Sequence, residues 1–258
     1  MKYYDVAIIG AGNLAWSLAP ALENAGHRIT EIWSRSRKHA LELADCLYNT
    51  NATDSLDLSV STAEIFILCI PDDGIEDTVK RLSLPPDSVL AHTSGARSID
   101  ILNFADAVPA VLYPLQSFSR SRQAEFSSIP ICIEAHNDDA MKIVKGVALS
   151  LSRAVYIISS AERKLLHVGA VFACNFTNHL YAIAENLLES ENLPFEILHP
   201  LMKETLLKAI EMGPIQAQTG PAIRNDRKTM QEHADLLVHD PEILKLYKEL
   251  SDSIIRNA

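Results

Sequence analysis

Short apolar runs alternate with amphipathic stretches along the first 160 residues, and the alternation stops there. Residues 6–9 (VAII) form a β-rich run. Residues 13–25 read as a helix closed by Gly26, a residue suited to the left-handed stop of a helix. Residues 28–33 give a second strand, and Ser36 can cap a helix running to about Leu47. Residues 65–70 (IFILCI) are apolar throughout, the mark of a strand buried on both faces. Further strands are expected at 89–93, 110–113, 129–134 and 154–158, with a helix at 138–150. Strands separated by helices need crossover connections, so the pattern predicts an α/β fold with a doubly wound, mostly parallel sheet.

After Ser160 no strand pattern remains. Residues 161–189, 195–212 (interrupted by Pro200), 226–238 and 241–255 all carry helical periodicity. The division expected is 1–159 for the sheet-forming domain and 160–258 for an all-helical one. Residues 116–128 (QSFSRSRQAEFSS) are polar and serine-rich, and are expected to be mobile. Pro20 lies inside the first helix and predicts a kink, because its ring removes a hydrogen bond to Trp16.

Composition changes the picture mainly by exclusion. The chain has 258 residues, of which 48% are apolar and 22% charged, enough for a sizeable core. Its net charge of −10 argues against a nucleic-acid partner, which needs a basic surface. Cys46, Cys69, Cys132 and Cys174 are too scattered for a zinc site or a redox pair, and read as reduced thiols in the cytoplasm. The histidines do not cluster with carboxylates, so no metal site is expected. The N-terminus lacks a signal-peptide pattern, and no apolar run is long enough to span a bilayer.

The densest chemical signal is Gly10-Ala11-Gly12-Asn13-Leu14-Ala15, a G-x-G-x-x-A turn between the first strand and the first helix. In that setting Gly10 makes the tight turn, Gly12 admits a pyrophosphate, and Ala15 lets helix and strand pack closely. The first amides of the helix, those of Asn13 and Leu14 among them, would hold the phosphates. A dinucleotide is therefore expected. The second strand ends in Trp33-Ser34-Arg35-Ser36-Arg37-Lys38 and has no acid where a ribose-binding carboxylate would stand. Ser34, Arg35 and Ser36 suit a 2′-phosphate instead, which points to NADP. Glu31, earlier in the strand, reads as structural.

The segments GAGNLA, WSRS, LCIPDDGI, HTSGARSIDIL and YPLQSF resemble the NADP-dependent branch of the 6-phosphogluconate dehydrogenase-like superfamily. HVGAVFACNFTNHLYAIAENLL and TGPAIRND resemble a narrower family of NADP oxidoreductases, which join a Rossmann-like domain to a helical domain of unknown function. Pyrroline-5-carboxylate reductases and deazaflavin-dependent NADP oxidoreductases are similar at greater distance. The resemblance implies that Ile70 and Pro71 pass the nicotinamide side of the cofactor and that His92, Ser94 and Gly95 lie near its ring. It also implies that the long helix after the sheet faces the reacting atoms.

That helix offers Lys164, His167, Asn175, Asn178 and His179. His167, Asn175 and Asn178 stand at i, i+8 and i+11, which falls within about one quadrant of a straight α-helix. A polar stripe on an apolar helix needs partners, so it marks either a buried network or the wall of a site. His167, Asn175 and His92 are the candidates to supply a proton or hold the reacting atom. Asn178 and Arg224 are candidate substrate contacts, the latter as a carboxylate clamp. The reading is an NADP-dependent oxidoreductase acting on a carbonyl or imine of a small, carboxylate-bearing metabolite. The alternative is an NADP-binding sensor or scaffold without turnover. Apolar residues on more than one face of the helical half (Val168, Phe172, Phe176, Leu180, Leu187) predict a homodimer formed through it.

Overall fold

The computed structural model describes residues 2–122 and 124–257, so Gln123 of the connection expected to be mobile lies outside them. The chain alternates β1 (Asp5–Ile9), α1 (Asn13–Asn24), β2 (Arg28–Trp33), α2 (Arg37–Ala44), β3 (Asn51–Thr53), β4 (Ile65–Leu68), α3 (Ile75–Val79), β5 (Val89–His92), β6 (Val108–Pro114), β7 (Ile131–Ala135), α4 (Asp138–Leu151) and β8 (Val155–Ile157). Among the described residues these strands form one sheet in the order β3-β2-β1-β4-β5-β6-β7-β8. The order turns from leftward to rightward growth between β1 and β4, and a switch of that kind opens a crevice at the strands' carboxyl ends.

Pairing is parallel except between β6 and β7. The reason is local. Among the described residues of the connection from 115 to 130 there is one 3₁₀ turn, Phe126–Ser128, and no α-helix to carry the chain back across a face. The chain therefore returns alongside itself as an antiparallel neighbour. β3 escaped the apolar pattern because it is a three-residue edge strand of polar composition, NAT, paired with β2. Short polar edges are stable against further pairing.

Alternate side chains of each central strand enter different layers, as the pleat requires. Ile8, Ile32, Ile65 and Ile67 pack with Leu18, Leu22, Val144 and Val147 of α1 and α4. Ile9, Phe66, Leu68 and Leu90 pack on the other face with Ile75 and Val79 of α3. β4 is buried along its whole length, as its unbroken apolar run implies. α1 runs continuously through Pro20. Glu31 is structural: its Oε2 accepts from Thr30 at 2.5 Å and from Ser61 at 2.7 Å.

The rest is helical: α5 (Ser160–Ala170), a π-helical turn at Val171–Phe176, α6 (Thr177–Glu189), α7 (His199–Met212), α8 (Arg227–Leu236) and α9 (Pro241–Arg256). Ser159 and Glu162 form a reciprocal capping box at the start of α5. Pro200 starts α7 and does not interrupt it, since a ring in the first turn removes no helical bond. Asp226 caps α8 by accepting from the Thr229 amide at 3.1 Å. By packing, the chain divides into Met1–Phe176 and Thr177–Ala258, so α5 belongs with the sheet and the compact division falls later in the chain than residue 159. No helix among the described residues is long and apolar enough to cross a membrane.

The two glycines of the turn after β1 have different tasks. Gly10 has φ +127°, and a Cβ there would stand 2.2 Å from the Cys69 carbonyl oxygen. At Gly12 the nearest atom to such a Cβ is that same oxygen, at an ordinary 3.7 Å. Gly10→Ala should therefore cost more than about 2 kcal/mol of stability, whereas Gly12→Ala should stay within about 1 kcal/mol. Urea unfolding of the two variants checks this, and equal losses would mean that the turn is tight at both positions.

Candidate active site

The crevice beyond β1, β2 and β4 is a cavity of about 820 Å³. Gly10, Gly12, Ser34, Arg35, Ile70 and Pro71, all expected from the sequence, line it. Neither Gly12 before α1 nor Ser36 before α2 makes a side-chain cap, so the first-turn amides of both helices are left for a ligand. The open space at the Gly12 Cβ position makes the same point: a phosphate fits where a side chain would stand. The residues present therefore suit a dinucleotide. The backbone amide of Ser36 donates to Ser34 Oγ at 3.4 Å, which draws the two serines together at the start of α2. Leu14 is partly buried and packs on the core, so what it offers a cofactor is its amide. Asn13 turns its side chain away, donating from Nδ2 to the Phe118 carbonyl at 3.2 Å.

His39, Asp54, Arg81 and Arg120 also line the cavity and were not expected. Asp54 follows the edge strand that the apolar pattern missed, and Arg120 lies in the polar connection between β6 and β7. Neither position carries a periodic signal that would have revealed it.

A second cluster lies at the ends of β5 and β6. Ser94 Oγ donates to Asp72 Oδ2 at 2.8 Å and accepts from the amides of Ala96 and Arg97 at 3.1 and 3.0 Å. Gly95 is buried beneath two rings. A Cβ there would meet His167 Nδ1 at 2.6 Å and Tyr113 Cζ at 2.9 Å. The bare backbone thus lets Tyr113 and His167 approach each other, and the Tyr113 hydroxyl lies 3.2 Å from His167 Nδ1. Burial raises the Tyr113 pKa, and the nearby Cys132 and Asp72 add to it while Arg163 opposes. The phenol is thus held protonated, with a proton available to share with the imidazole. Tyr113 was missed because, within an apolar strand, an aromatic residue gives no sign that its hydroxyl is used.

His92 is not placed as the sequence suggested. It is fully buried on β5, and its Nδ1 accepts from the Ser94 amide at 3.1 Å. Burial first, then the charge of Arg163, pushes its pKa down to about 3. A neutral, enclosed imidazole is a poor general acid near neutrality, and the hydrogen bond His92 makes is to the Ser94 turn.

Asn175 and Asn178 are exposed. The π-helical turn at Val171–Phe176 takes up an extra residue, so the 100° count linking them to His167 in a straight helix does not apply. Lys164 and Arg224 are also exposed. Among the described residues, no group of histidine, cysteine and carboxylate side chains could hold a metal ion.

The burial of His92 has a pH signature. In the unfolded chain its pKa returns to about 6.5, so between that value and about 3 the unfolded state binds the extra proton. This contribution to stability is complete above pH 6.5 and is lost as the pH falls, on the order of a few kcal/mol by pH 4. His92→Asn keeps an acceptor for the Ser94 amide but cannot titrate. Its stability measured by urea unfolding should fall less steeply from pH 6.5 to 4 than that of the unaltered chain. Parallel curves would show that His92 takes up protons in the fold.

Comparison with known proteins agrees with this geometry. Residues 5–94 match the family described as coenzyme F420-dependent NADP oxidoreductase, and residues 129–254 match a domain of unknown function, DUF2520. The structure of a protein from Bacteroides fragilis described as an NADP oxidoreductase is 37% identical, with a TM-score of 0.89 and 98% of each chain covered. Protein TM1727 from Thermotoga maritima is 26% identical, with a TM-score of 0.74 and 98% of each chain covered. A reductive aminase from Aspergillus terreus, solved with NADPH and ethyl levulinate, shares the fold at 14% identity, with a TM-score of 0.75 over 100% of this chain and 95% of that one. A search of curated proteins found no match. The chain belongs to the family of NADP oxidoreductases that join a Rossmann-like dinucleotide-binding domain to a helical domain of unknown function.

Proposed function

We propose that the chain transfers a hydride between NADP(H) and a carbonyl or imine carbon of a small, carboxylate-bearing metabolite, with Tyr113 and His167 handling the proton. The observation that carries this reading is the 3.2 Å contact between the Tyr113 hydroxyl and His167 Nδ1 against the bare backbone of Gly95. When bound, the nicotinamide supplies or accepts the hydride. The chain's own share is to orient the ring past Ile70, Pro71, Ser94 and Gly95 and to deliver a proton to the substrate oxygen or nitrogen. His167 reaches that atom directly, and Tyr113 fixes which imidazole nitrogen carries the proton. On the same compact unit, the exposed Asn175 is a candidate to hold the reacting oxygen or nitrogen.

At the adenosine end, Ser34, Arg35 and the open start of α2 at Ser36 suit the 2′-phosphate that distinguishes NADP from NAD. The free cysteines suit a reducing compartment such as the cytoplasm. The helical part is assigned to a homodimer interface. Leu165 and Val168 on α5 are 74% and 51% exposed, and Leu180 and Leu187 on α6 are 39% and 45% exposed, more apolar surface than a lone chain ordinarily leaves in water.

Four measurements test these assignments. NADPH consumption with a panel of keto acids and cyclic imines identifies the substrate. With that substrate, His167→Ala should lower turnover by about two to four orders of magnitude at nearly unchanged NADPH affinity, and full activity in that variant removes His167 from the chemistry. Arg35→Ala should weaken NADPH binding by about 1.5–3 kcal/mol and leave NADH binding almost untouched, and equal affinity of the unaltered chain for the two cofactors would refute the 2′-phosphate assignment. Light scattering at micromolar concentration should give twice the chain mass, and a monomer mass would refute the interface.

A further inference from the structure

The phosphate-binding turn is rich in amides and poor in charge. Residues 10–17 (GAGNLAWS) contain no lysine or arginine. Amides and the helix dipole favour an anion, but a pyrophosphate brings two full charges to a protein of net charge −10. One cation reaches the turn, and it comes from far along the chain. Arg120, in the connection between β6 and β7, donates from Nη2 to the Ala11 carbonyl at 2.8 Å. Its guanidinium carbon lies 5.0 Å from the centre of the Trp16 ring, and the residue lines the cavity with Gly10, Ala11 and Gly12. No carboxylate among the described residues pairs with it.

The connection that carries Arg120 is tied down on both sides of it. Asn13 Nδ2 donates to the Phe118 carbonyl at 3.2 Å. Phe118 stacks on the buried Phe126, with ring centres 5.8 Å apart and planes 24° from parallel. Residues 118–120 therefore form a short strap laid over the start of α1.

We propose that Arg120 is a pyrophosphate-binding residue, carried on this strap and held ready by Trp16. The inference rests on the NADP assignment above and adds to it a residue that does not distinguish the two cofactors. The guanidinium fork matches two phosphate oxygens, and its present partner, a neutral carbonyl, is a weaker one than a phosphate. Stacking on Trp16 orients the side chain beforehand, so less rotamer freedom is lost on binding. NADPH, NADH and ADP-ribose all share the pyrophosphate. Arg120 therefore raises affinity for all three alike, whereas Arg35 acts only on ligands with a 2′-phosphate.

Titration calorimetry on the full chain separates the two arginines. The probes are ADP-ribose, which has the pyrophosphate alone, and adenosine 2′-monophosphate, which has the 2′-phosphate alone. Arg120→Ala should weaken ADP-ribose binding about 10- to 100-fold, as expected for a charged hydrogen-bond pair, and leave adenosine 2′-monophosphate unchanged. Arg120→Lys should lie between, since it keeps the charge and loses the fork. Arg35→Ala should show the opposite pattern. ADP-ribose should also slow tryptic cleavage after Arg122 in the unaltered chain but not in Arg120→Ala. Unchanged ADP-ribose binding by Arg120→Ala overturns the proposal. So does an equal loss for both probes, which would make Arg120 a support for the turn and not a ligand of the phosphates. If the unaltered chain bound neither probe, the NADP assignment itself would fall, a result distinct from either of these.

Discussion

Arg163 is the residue on which the candidate active site depends. Its side chain is fully buried, and a guanidinium out of water must have its donors satisfied. Nε donates to the Ser94 carbonyl at 3.1 Å, Nη1 pairs with Glu134, and Nη2 donates to the Arg97 carbonyl at 2.7 Å and to Ser160 Oγ at 3.0 Å. Glu134 in turn accepts from the Ser160 amide and hydroxyl at 3.0 and 2.8 Å. One ion thus ties the turn after β5, the strand β7 and the first turn of α5. Its worth is geometric more than energetic, because the gain of a buried pair is largely offset by desolvation. What it fixes is the bearing of α5, and so the position of His167, which lies one helical turn beyond Arg163 on the same side of the helix. The same charge helps hold His92 neutral, and the neutral Nδ1 is what accepts the Ser94 amide.

With α5 fixed, two glycines set how closely things approach. Gly10 holds the chain against the Cys69 carbonyl at the phosphate end, and Gly95 lets two rings meet at the other. The contrast with Gly12 shows that glycines in one motif do different work. A Cβ at Gly10 would collide with the Cys69 carbonyl, whereas one at Gly12 would make only an ordinary contact with it, and the sequence alone does not distinguish the two.

The fold was legible because its signals are local and periodic. β2 and β4 stand where their apolar runs begin, and α8 follows Asp226, which caps it, although Ser36, the cap expected for α2, makes no such bond. The turn residues that line the cavity were legible for the same reason, since a strand, glycines and a helix follow one another in sequence. The remainder depends on contacts between distant segments. Tyr113 meets His167 across 54 residues, and Arg120 meets Ala11 across 109. The stripe of His167, Asn175 and Asn178 assumed a straight helix, and one π turn is enough to void such a count. The burial of His92 was not legible for a further reason: a histidine near a strand end looks the same in sequence whether its ring faces a crevice or the core.

The acidity of the whole chain sharpens the question of how it holds an anionic cofactor. At physiological ionic strength charges more than about 8 Å apart are largely screened when exposed, so a net charge of −10 spread over the surface matters less than the few groups beside each phosphate. The cavity gathers Arg35, Arg81 and Arg120 from three separate connections. Of the acids that line it, Asp73 pairs with Arg97, while Asp54 follows β3 at the sheet edge and Asp77 lies on α3. Cations brought individually to one cavity let the protein be acidic overall and locally receptive to phosphate. If Arg120 serves the pyrophosphate and Arg35 the 2′-phosphate, as proposed, affinity and selectivity can be set apart, because the two lie on different connections.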